Sequence, residues 1–228
     1  LRARVGSPEH RAVARQAVRE SLVLLVNKQQ ALPLSRTLSH VLVAGKAADD
    51  IGIQCGGWTI AWQGSAGRIT DGTTVLDAVR ASLPGGRVDY SAAGEPPAGA
   101  QAAIVVVGEM PYAEGQGDRK SLDLDPADVA LVKRVKASGL RTTVILFSGR
   151  PMMLDAIMAD ADAIVAAWLP GTEGDGIADV LFGRYGPTGT LGHTWPKAMS
   201  QIPINVGPKG EKPAAAPLFE FGFGLRYK

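Results

Sequence analysis

The chain has 228 residues, of which 46% are hydrophobic, with a formal net charge of +2, one cysteine and three histidines. This length suits one large domain or two small ones, and the apolar fraction can build a full core. The single cysteine excludes an intrachain disulfide framework and a cysteine-rich metal site. The histidines lie far apart and no basic block with interleaved aromatic residues occurs. We therefore expect no metal, no cofactor and no nucleic-acid partner.

Neither a membrane nor an export segment is indicated by the sequence. No apolar run approaches the roughly 20 residues needed to span a bilayer, and no charged-then-apolar segment stands at the start. We therefore expect no membrane partner. The chain begins Leu1-Arg-Ala-Arg and closes on the ordered-looking residues 219–225. These two ends predict a piece of a longer protein or a processed product.

An amphipathic helix is predicted first in chain order. The sequence Ser7-Pro-Glu offers a typical N-cap, a proline suited to the first helical position and an acid in the first turn. Apolar residues then recur at helical spacing from Val13 to Leu25, so the helix should end near Asn27. Residues 1–36 would thus be a leading helix and linker.

Strands alternating with helices are predicted for the rest of the chain, which indicates βαβ units, a mainly parallel sheet and helices on both faces. One domain over residues 1–228 is expected, with a possible edge strand at Leu191–Trp195 and an irregular tail at 200–228. The other predicted strands are Val41–Ala44, Arg87–Tyr90, Ala102–Val107, Thr142–Phe147 and Ala163–Trp168, and the helices Thr73–Leu83, Pro126–Ser138, Pro151–Ala159 and Gly176–Phe182.

Nucleotide-binding and serine-hydrolase motifs are missing from this pattern. The segment Gly171-Thr-Glu-Gly-Asp-Gly176 lacks the lysine of a P-loop and the spacing of a dinucleotide fingerprint, so we interpret it as a helix-starting turn. No Gly-x-Ser-x-Gly elbow exists, and Ser148 stands in the wrong frame. His193 is interpreted as a packing or surface histidine.

Chemistry is expected in the segment Gly108-Glu-Met-Pro-Tyr-Ala-Glu-Gly-Gln-Gly-Asp118, directly after the predicted strand Ala102–Val107. Two glutamates, a tyrosine, a proline and several glycines make a shaped loop more plausible than a solvated one. In an open α/β sheet, ligands bind outside the carboxyl ends of the strands. This loop is therefore the first candidate site.

A second candidate is the segment Gln54-Cys-Gly-Gly-Trp-Thr-Ile-Ala-Trp-Gln-Gly64. Its glycines argue against a helix and favour a loop that presents indole faces, which can stack on sugar rings. The alternative is that a tryptophan anchors the loop in the core. We expect anchoring of Trp62 and leave Trp58 open between an anchor and a ligand contact.

These two segments resemble the second domain of family 3 glycoside hydrolases, the β-glucosidases and exo-β-glucanases of bacteria and plants. The resemblance runs nearly from end to end of the chain. It includes the segments Glu9–Leu25, Ser148-Gly-Arg-Pro151, Trp168-Leu-Pro-Gly-Thr-Glu-Gly174 and Phe219-Glu-Phe-Gly-Phe-Gly-Leu225.

The resemblance implies a three-layer α/β sandwich with a six-stranded sheet, and a retaining mechanism whose aspartate nucleophile lies on a preceding (β/α)8 barrel. By position, Glu114 corresponds to the family's acid/base, with Glu109 the weaker candidate. Trp58 corresponds to the tryptophan that helps clamp the leaving-group sugar. Tyr112, Glu109 and Asp118 are expected to shape the loop at the substrate.

The chain departs from the family pattern in one respect. The nucleophile motif Ser-Asp-Trp is missing and no room exists for a barrel, so the isolated chain is expected to be inactive. Asp118 and Asp123 could replace the nucleophile, but we interpret both as loop-shaping acids. A general acid must also keep its proton near neutral pH, which requires desolvation or a nearby negative charge. An exposed loop gives Glu114 little of either, whereas docking against a barrel that carries the nucleophile would supply both.

The implied partners are a β-glucoside or β-glucan oligosaccharide and the barrel of the same protein, in the periplasm or outside the cell. Two alternatives remain open at this point. One is a non-catalytic structural or carbohydrate-binding module, and the other is a flavodoxin-like nucleotide binder suggested by fold analogy alone.

Overall fold

The protein folds around a six-stranded sheet, seen in a computed structural model that describes residues 4–204 and 215–227. The order across the sheet is β1-β6-β5-β4-β2-β3, and all neighbours are parallel except β1, which runs antiparallel to β6. The predicted mainly parallel α/β sheet is thereby confirmed. The strands are β1 (Val23–Asn27), β2 (His40–Ala44), β3 (Arg87–Ser91), β4 (Ala102–Gly108), β5 (Arg141–Phe147) and β6 (Ala163–Trp168).

Helices cover both faces of the sheet. The first face packs against α1, α3 and α6, and the second against α4 and α5. No helix of the described residues is both long and apolar enough to cross a bilayer. The helices are α1 (Pro8–Ser21), α2 (Ile51–Cys55), α3 (Val75–Ser82), α4 (Pro126–Ala137), α5 (Asp155–Met158) and α6 (Gly174–Leu181).

The pleat of β4 divides its side chains between two cores. Ile104 and Val106 join the core on the first face, while Val105 and Val107 join the core on the second. All four side chains are at most 1% exposed. A continuous apolar run is therefore read correctly as a strand that is buried on both sides.

The first helix is shorter than its apolar pattern predicts, and the chain then enters the sheet. Ser7 is the N-cap as expected, but α1 ends at Ser21 and Val23–Asn27 form β1. Residues 22–26 are all buried, which a helix lying on one face cannot achieve. Asn27 ends this strand by bonding both main-chain groups of Leu32 through its side-chain amide.

The expectation of an edge strand at Leu191–Trp195 is wrong, because β1 takes the edge position beside β6. Trp195 instead packs into the second core, donates its indole N–H to the carbonyl of Met152, and makes a single bridge to Phe219. The predicted helix Pro151–Ala159 shrinks to α5. Of the predicted irregular tail, residues 205–214 and 228 lie outside the described residues.

An ion-pair cluster joins α1 to α6. Asp179, whose side chain is 2% exposed, binds Arg15 and Arg19 with oxygen–nitrogen distances of 2.6 Å each, and Arg184 lies 3.7 Å away. Burial alone would raise the pKa of Asp179, but the hydrogen bonds from Arg15 and Arg19 outweigh it and hold the pKa below its ordinary value. The cluster thus stabilises the fold while Asp179 is ionised.

Replacing Asp179 by asparagine is expected to lower the free energy of unfolding by about 2 kcal/mol, because the guanidinium groups lose a buried counter-charge. Because the pKa is lowered on folding, this contribution is present above the ordinary value of 3.8 and is lost as the pH falls below it. Urea unfolding at pH 7 and near pH 3 measures both effects. Asp175→Asn, on the first turn of α6, is the matched control, and equal losses in both variants would contradict the assignment.

Candidate functional site

Two loops meet at the carboxyl edge of the sheet. We call residues 109–119, which leave β4, the acid loop, and residues 56–64, which follow α2, the tryptophan loop. A Cβ on Gly57 would collide with the carbonyl of Tyr112, and one on Gly64 would meet the ring of Pro111 at 2.8 Å. Glycine at these positions therefore lets the two loops lie backbone against backbone.

The carboxylate of Glu109 closes the acid loop on itself. Its side chain is only 6% exposed, and its Oε1 accepts hydrogen bonds from Arg150 Nη2 at 2.7 Å and from Arg119 Nη1 at 3.1 Å. Its Oε2 accepts from the Tyr112 hydroxyl at 3.0 Å. We call these four residues the Glu109 clasp. Arg150 also donates to the carbonyl of Gly117 at 2.7 Å, so both ends of the loop are held together.

Tyr112 serves the clasp as a fixed donor. Burial, followed by the negative charge of Glu109, raises the pKa of Tyr112 to about 12. The phenol therefore keeps its proton throughout the physiological range and donates a hydrogen bond to Glu109. The Arg150 guanidinium lies 4.4 Å from the centre of the Tyr112 ring, which adds a cation–π contact.

Glu114 stands at the tip of the acid loop with its side chain in solvent. Trp62 donates its indole N–H to Oε2 of Glu114 at 2.8 Å. Gln63 holds the main chain of the tip, since its amide nitrogen donates to the carbonyl of Glu114 at 3.2 Å and its amide oxygen accepts from the N–H of Ala113 at 2.7 Å. The bond from Trp62 is the main cause that lowers the pKa of Glu114.

Both tryptophans of the tryptophan loop lie at the surface, Trp58 with 70% and Trp62 with 54% of its area exposed. Their ring centroids are 6.2 Å apart at an angle of 56°. The expectation that Trp62 anchors its loop in the core is wrong, because its N–H reaches Glu114 instead. The anchor is Gln54 of α2, just before the loop, which is fully buried and donates to the carbonyls of Thr73 and Gly171.

The remaining acids lie apart from the clasp and the tip. Asp118 is exposed near the end of the acid loop, where its main-chain N–H donates to Gly115. Asp123 accepts a hydrogen bond from the hydroxyl of Ser121 and is also exposed. Within residues 4–204 and 215–227, no group of His, Cys, Asp and Glu side chains is arranged to hold a metal ion.

His193 is exposed and touches the ring of Trp168 with its edge, 5.6 Å between centroids. It is therefore a surface and packing histidine, as predicted. The segment that begins at Gly171 also behaves as predicted, because it turns the chain into α6.

Sequence reasoning missed three residues that shape this site: Arg119, Arg150 and Gln63. The block Ser148-Gly-Arg-Pro151 follows β5, and a cation after a strand adjacent to β4 could have suggested a partner for one of the two glutamates. No sequence signal distinguishes Gln63 from any other loop amide.

The arrangement can offer one exposed carboxyl group beside two indole faces. Glu109 is occupied by two guanidinium groups, so Glu114 is the glutamate of the acid loop that remains accessible. Substrate contacts of Glu114, Trp58, Tyr112, Glu109 and Asp118 stay predictions.

The chain matches a known protein family and is similar in sequence to several longer proteins. The model of the "Glycosyl hydrolase family 3 C-terminal domain" matches residues 22–227. The chain is 32% identical to a lysosomal beta glucosidase of Dictyostelium discoideum, over 98% of this chain and 30% of that protein. It is 33% identical to a periplasmic beta-glucosidase of Salmonella typhimurium, over 96% of this chain and 35% of that protein.

Solved structures agree with this match. The exo-1,3/1,4-beta-glucanase of a Pseudoalteromonas species superposes with a TM-score of 0.91 and 38% identity, over 98% of this chain and 29% of that one. The beta-glucosidase of Listeria innocua in complex with glucose gives a TM-score of 0.80 and 26% identity, over 97% and 34% of the two chains. This chain thus spans about a third of the length of the proteins that it matches.

Replacing Arg150 by alanine is expected to lower the free energy of unfolding by about 2–3 kcal/mol, because Glu109 is left nearly buried with one partner fewer. The matched control is Arg119→Ala, which removes the more exposed cation of the same carboxylate, 37% against 22% exposed. Arg119→Ala should lower the free energy of unfolding by less than about 1 kcal/mol. Urea unfolding compares the two, and a larger loss for Arg119→Ala would contradict the clasp as described.

Proposed function

Because the chain belongs to the glycosyl hydrolase family 3 C-terminal domains, we propose that it is the second domain of a retaining β-glucosidase or exo-β-glucanase, with Glu114 as general acid/base. The missing nucleophile would come from an upstream (β/α)8 barrel of the same protein. The substrate would be a β-glucoside or a β-glucan oligosaccharide, cleaved at its terminal β-D-glucosyl residue.

The observation that carries this proposal is the contrast between the two glutamates of the acid loop. Glu109 is locked inside the clasp, whereas Glu114 is held out at the tip beside exposed Trp58 and Trp62. A retaining glycosidase needs one protonated carboxyl group that can reach the glycosidic oxygen, about 5–5.5 Å from the nucleophile. An exposed carboxyl on a braced loop supports that task.

Proton donation near neutral pH requires that the pKa of Glu114 be raised. In this chain the pKa of Glu114 is lowered instead, and the hydrogen bond from Trp62 is the largest cause. A barrel docked over the loop would remove water and bring the nucleophile's negative charge close, and both effects raise a carboxyl pKa. We therefore expect the chain to be inactive alone and to work only when the barrel completes the site.

Exposed apolar side chains on and beside the two loops support both docking and sugar contact. Besides the two tryptophans, Ile60, Met110 and Leu169 expose between 42% and 79% of their area. Trp58 would stack on the leaving-group sugar, with Tyr112, Glu109 and Asp118 shaping the loop around it. Because relatives include periplasmic and lysosomal β-glucosidases, we propose a periplasmic or secreted location.

A second candidate function is a non-catalytic structural or carbohydrate-binding module. The exposure of Trp58 supports it, since an open indole can bind a sugar without any proton transfer. In that case Glu114 would only shape the loop.

The main test is Glu114→Ala in the longer protein that includes the upstream barrel. With an aryl β-glucoside whose leaving group is poor, kcat/KM should fall by about 10²–10⁴-fold, because that leaving group needs a proton. With an activated leaving group the loss in glycosylation should be much smaller, and added azide should restore turnover as a β-glucosyl azide. Glu95→Ala, at an exposed glutamate after β3 and outside both loops, is the matched control, and unchanged hydrolysis of the poor substrate by Glu114→Ala would exclude the acid/base role.

Trp58→Ala separates the two candidate functions. If Trp58 contacts the sugar, its truncation should raise KM by about 3- to 10-fold through the loss of stacking. The enzyme proposal holds if Glu114→Gln also abolishes turnover of the poor substrate. The module proposal holds if only the Trp58 variant is impaired.

A further inference from the structure

We propose that Trp62 is a positioning residue for the proton-transfer step, in which its indole N–H holds the carboxyl group of Glu114 by one oxygen. This inference rests on the proposed role of Glu114 and adds to it a residue with an assigned atom. Sequence reasoning placed Trp62 in the core, whereas the structure has its ring at the surface with its nitrogen 2.8 Å from Oε2 of Glu114.

The donor is fixed in place by its own loop. The main-chain N–H of Trp58 donates to the main-chain carbonyl of Trp62 at 2.9 Å, and the main-chain N–H of Gly64 donates to the carbonyl of Ala61 at 3.0 Å. Gln63, next in the chain, clamps the main chain of the acid loop at its tip from the same side. The main chains that carry the donor and the acceptor are thus both held, by hydrogen bonds within the tryptophan loop and by the side chain of Gln63.

Which oxygen carries the acid's proton follows from this contact. An indole nitrogen can donate a hydrogen bond but cannot accept one. Oε2 of Glu114 faces that donor, and among the described residues no second hydrogen bond to this carboxyl group has comparable geometry. The transferable proton therefore belongs on Oε1, to which no hydrogen bond from the described residues is made, while Oε2 stays on the indole.

The same contact serves both halves of a retaining mechanism. The indole N–H stabilises the carboxylate that remains after the proton has been given to the leaving group. In the second half, that carboxylate takes a proton from the attacking water. The contact thus makes Glu114 a stronger acid, and it steadies the base form between the two steps.

The other charged groups near this contact are accounted for within the described residues. The tryptophan loop carries no ionisable side chain, and the acid loop carries Glu109, Tyr112, Asp118 and Arg119. Glu109 is paired with Arg119 and with Arg150 from the end of β5, and no ion pair to Glu114 occurs in residues 4–204 and 215–227.

Trp62 is consequently the strongest local influence on the Glu114 carboxyl. Its hydrogen bond lowers the pKa of Glu114 more than the main-chain N–H of Glu114 itself does, and the indole of Trp58 contributes least. Removal of the Trp62 donor should therefore remove the largest single cause of this lowering of the pKa.

The test is Trp62→Phe in the longer protein with its barrel, which keeps an aromatic ring but removes the donor. The dependence of kcat/KM on pH is measured with phenyl β-D-glucoside as the substrate. The basic limb of this pH profile reports the pKa of the general acid in the free enzyme. Loss of the donor should move that limb to higher pH, by about half to one pH unit. The acidic limb, set by the upstream nucleophile, should stay where it is.

Trp168→Phe is the matched control, because it removes an indole donor that binds the carbonyl of Ser21 and does not touch Glu114. Its basic limb should coincide with that of the wild type. A merely structural Trp62 would change the thermal midpoint and the yield without moving the limb. If Trp62→Phe does not fold, Trp62→Leu provides the same loss of the donor.

Glu114→Ala, assayed in parallel, separates the two possible failures. If that variant loses activity on the poor substrate and Trp62→Phe keeps the wild-type limb, the inference about Trp62 is overturned. If Glu114→Ala retains full activity on the poor substrate, the proposed acid/base role is the part that is wrong.

Discussion

Five of the six strands run in one direction, and this constraint brings the loops of the candidate site to the same edge of the sheet. Parallel strands end at a common edge, so the segments that leave β2, β4, β5 and β6 emerge side by side. The acid loop leaves β4, Arg150 follows β5, and the tryptophan loop follows β2 by way of α2. Residues far apart in sequence meet there because the sheet brings them together, with glycines letting the loops touch.

Two glutamates five positions apart acquire opposite properties at this edge. Glu109 lies in the interior of the loop, where two guanidinium groups and a phenol satisfy it. Glu114 lies at the tip, where the indole N–H of Trp62 donates to it. Pairs of acids in different surroundings are the usual way in which one site obtains two roles. Here the first braces the loop and the second keeps its side chain exposed to solvent.

Within the proposed mechanism, this chain supplies half of a reaction centre. Its own contacts favour the ionised form of Glu114, which is the form needed after the leaving group has gone. The opposite tendency, toward a protonated acid, would come from a barrel that excludes water and carries a negative charge. Division of the site between two domains would then make activity depend on their docking. The relatives that the chain matches are about three times as long as the chain.

The sequence by itself determined the elements whose surroundings are uniform. The sequence predicts three such features: the apolar run of β4, the Ser7 cap of α1 and the loop after β4. They can be predicted because burial on both sides, helix capping and turn chemistry leave a local pattern in the sequence. The run Leu22–Val26 is predicted as helix although it forms a strand, because its apolar residues suit a helix face and a buried strand equally. Only the tertiary structure decided between Glu109 and Glu114 as the occupied acid, and placed Trp62 at the surface. The reason is that Arg150 lies 41 residues from Glu109, and Trp62 lies 52 residues from Glu114, so that only the sheet brings these groups into contact.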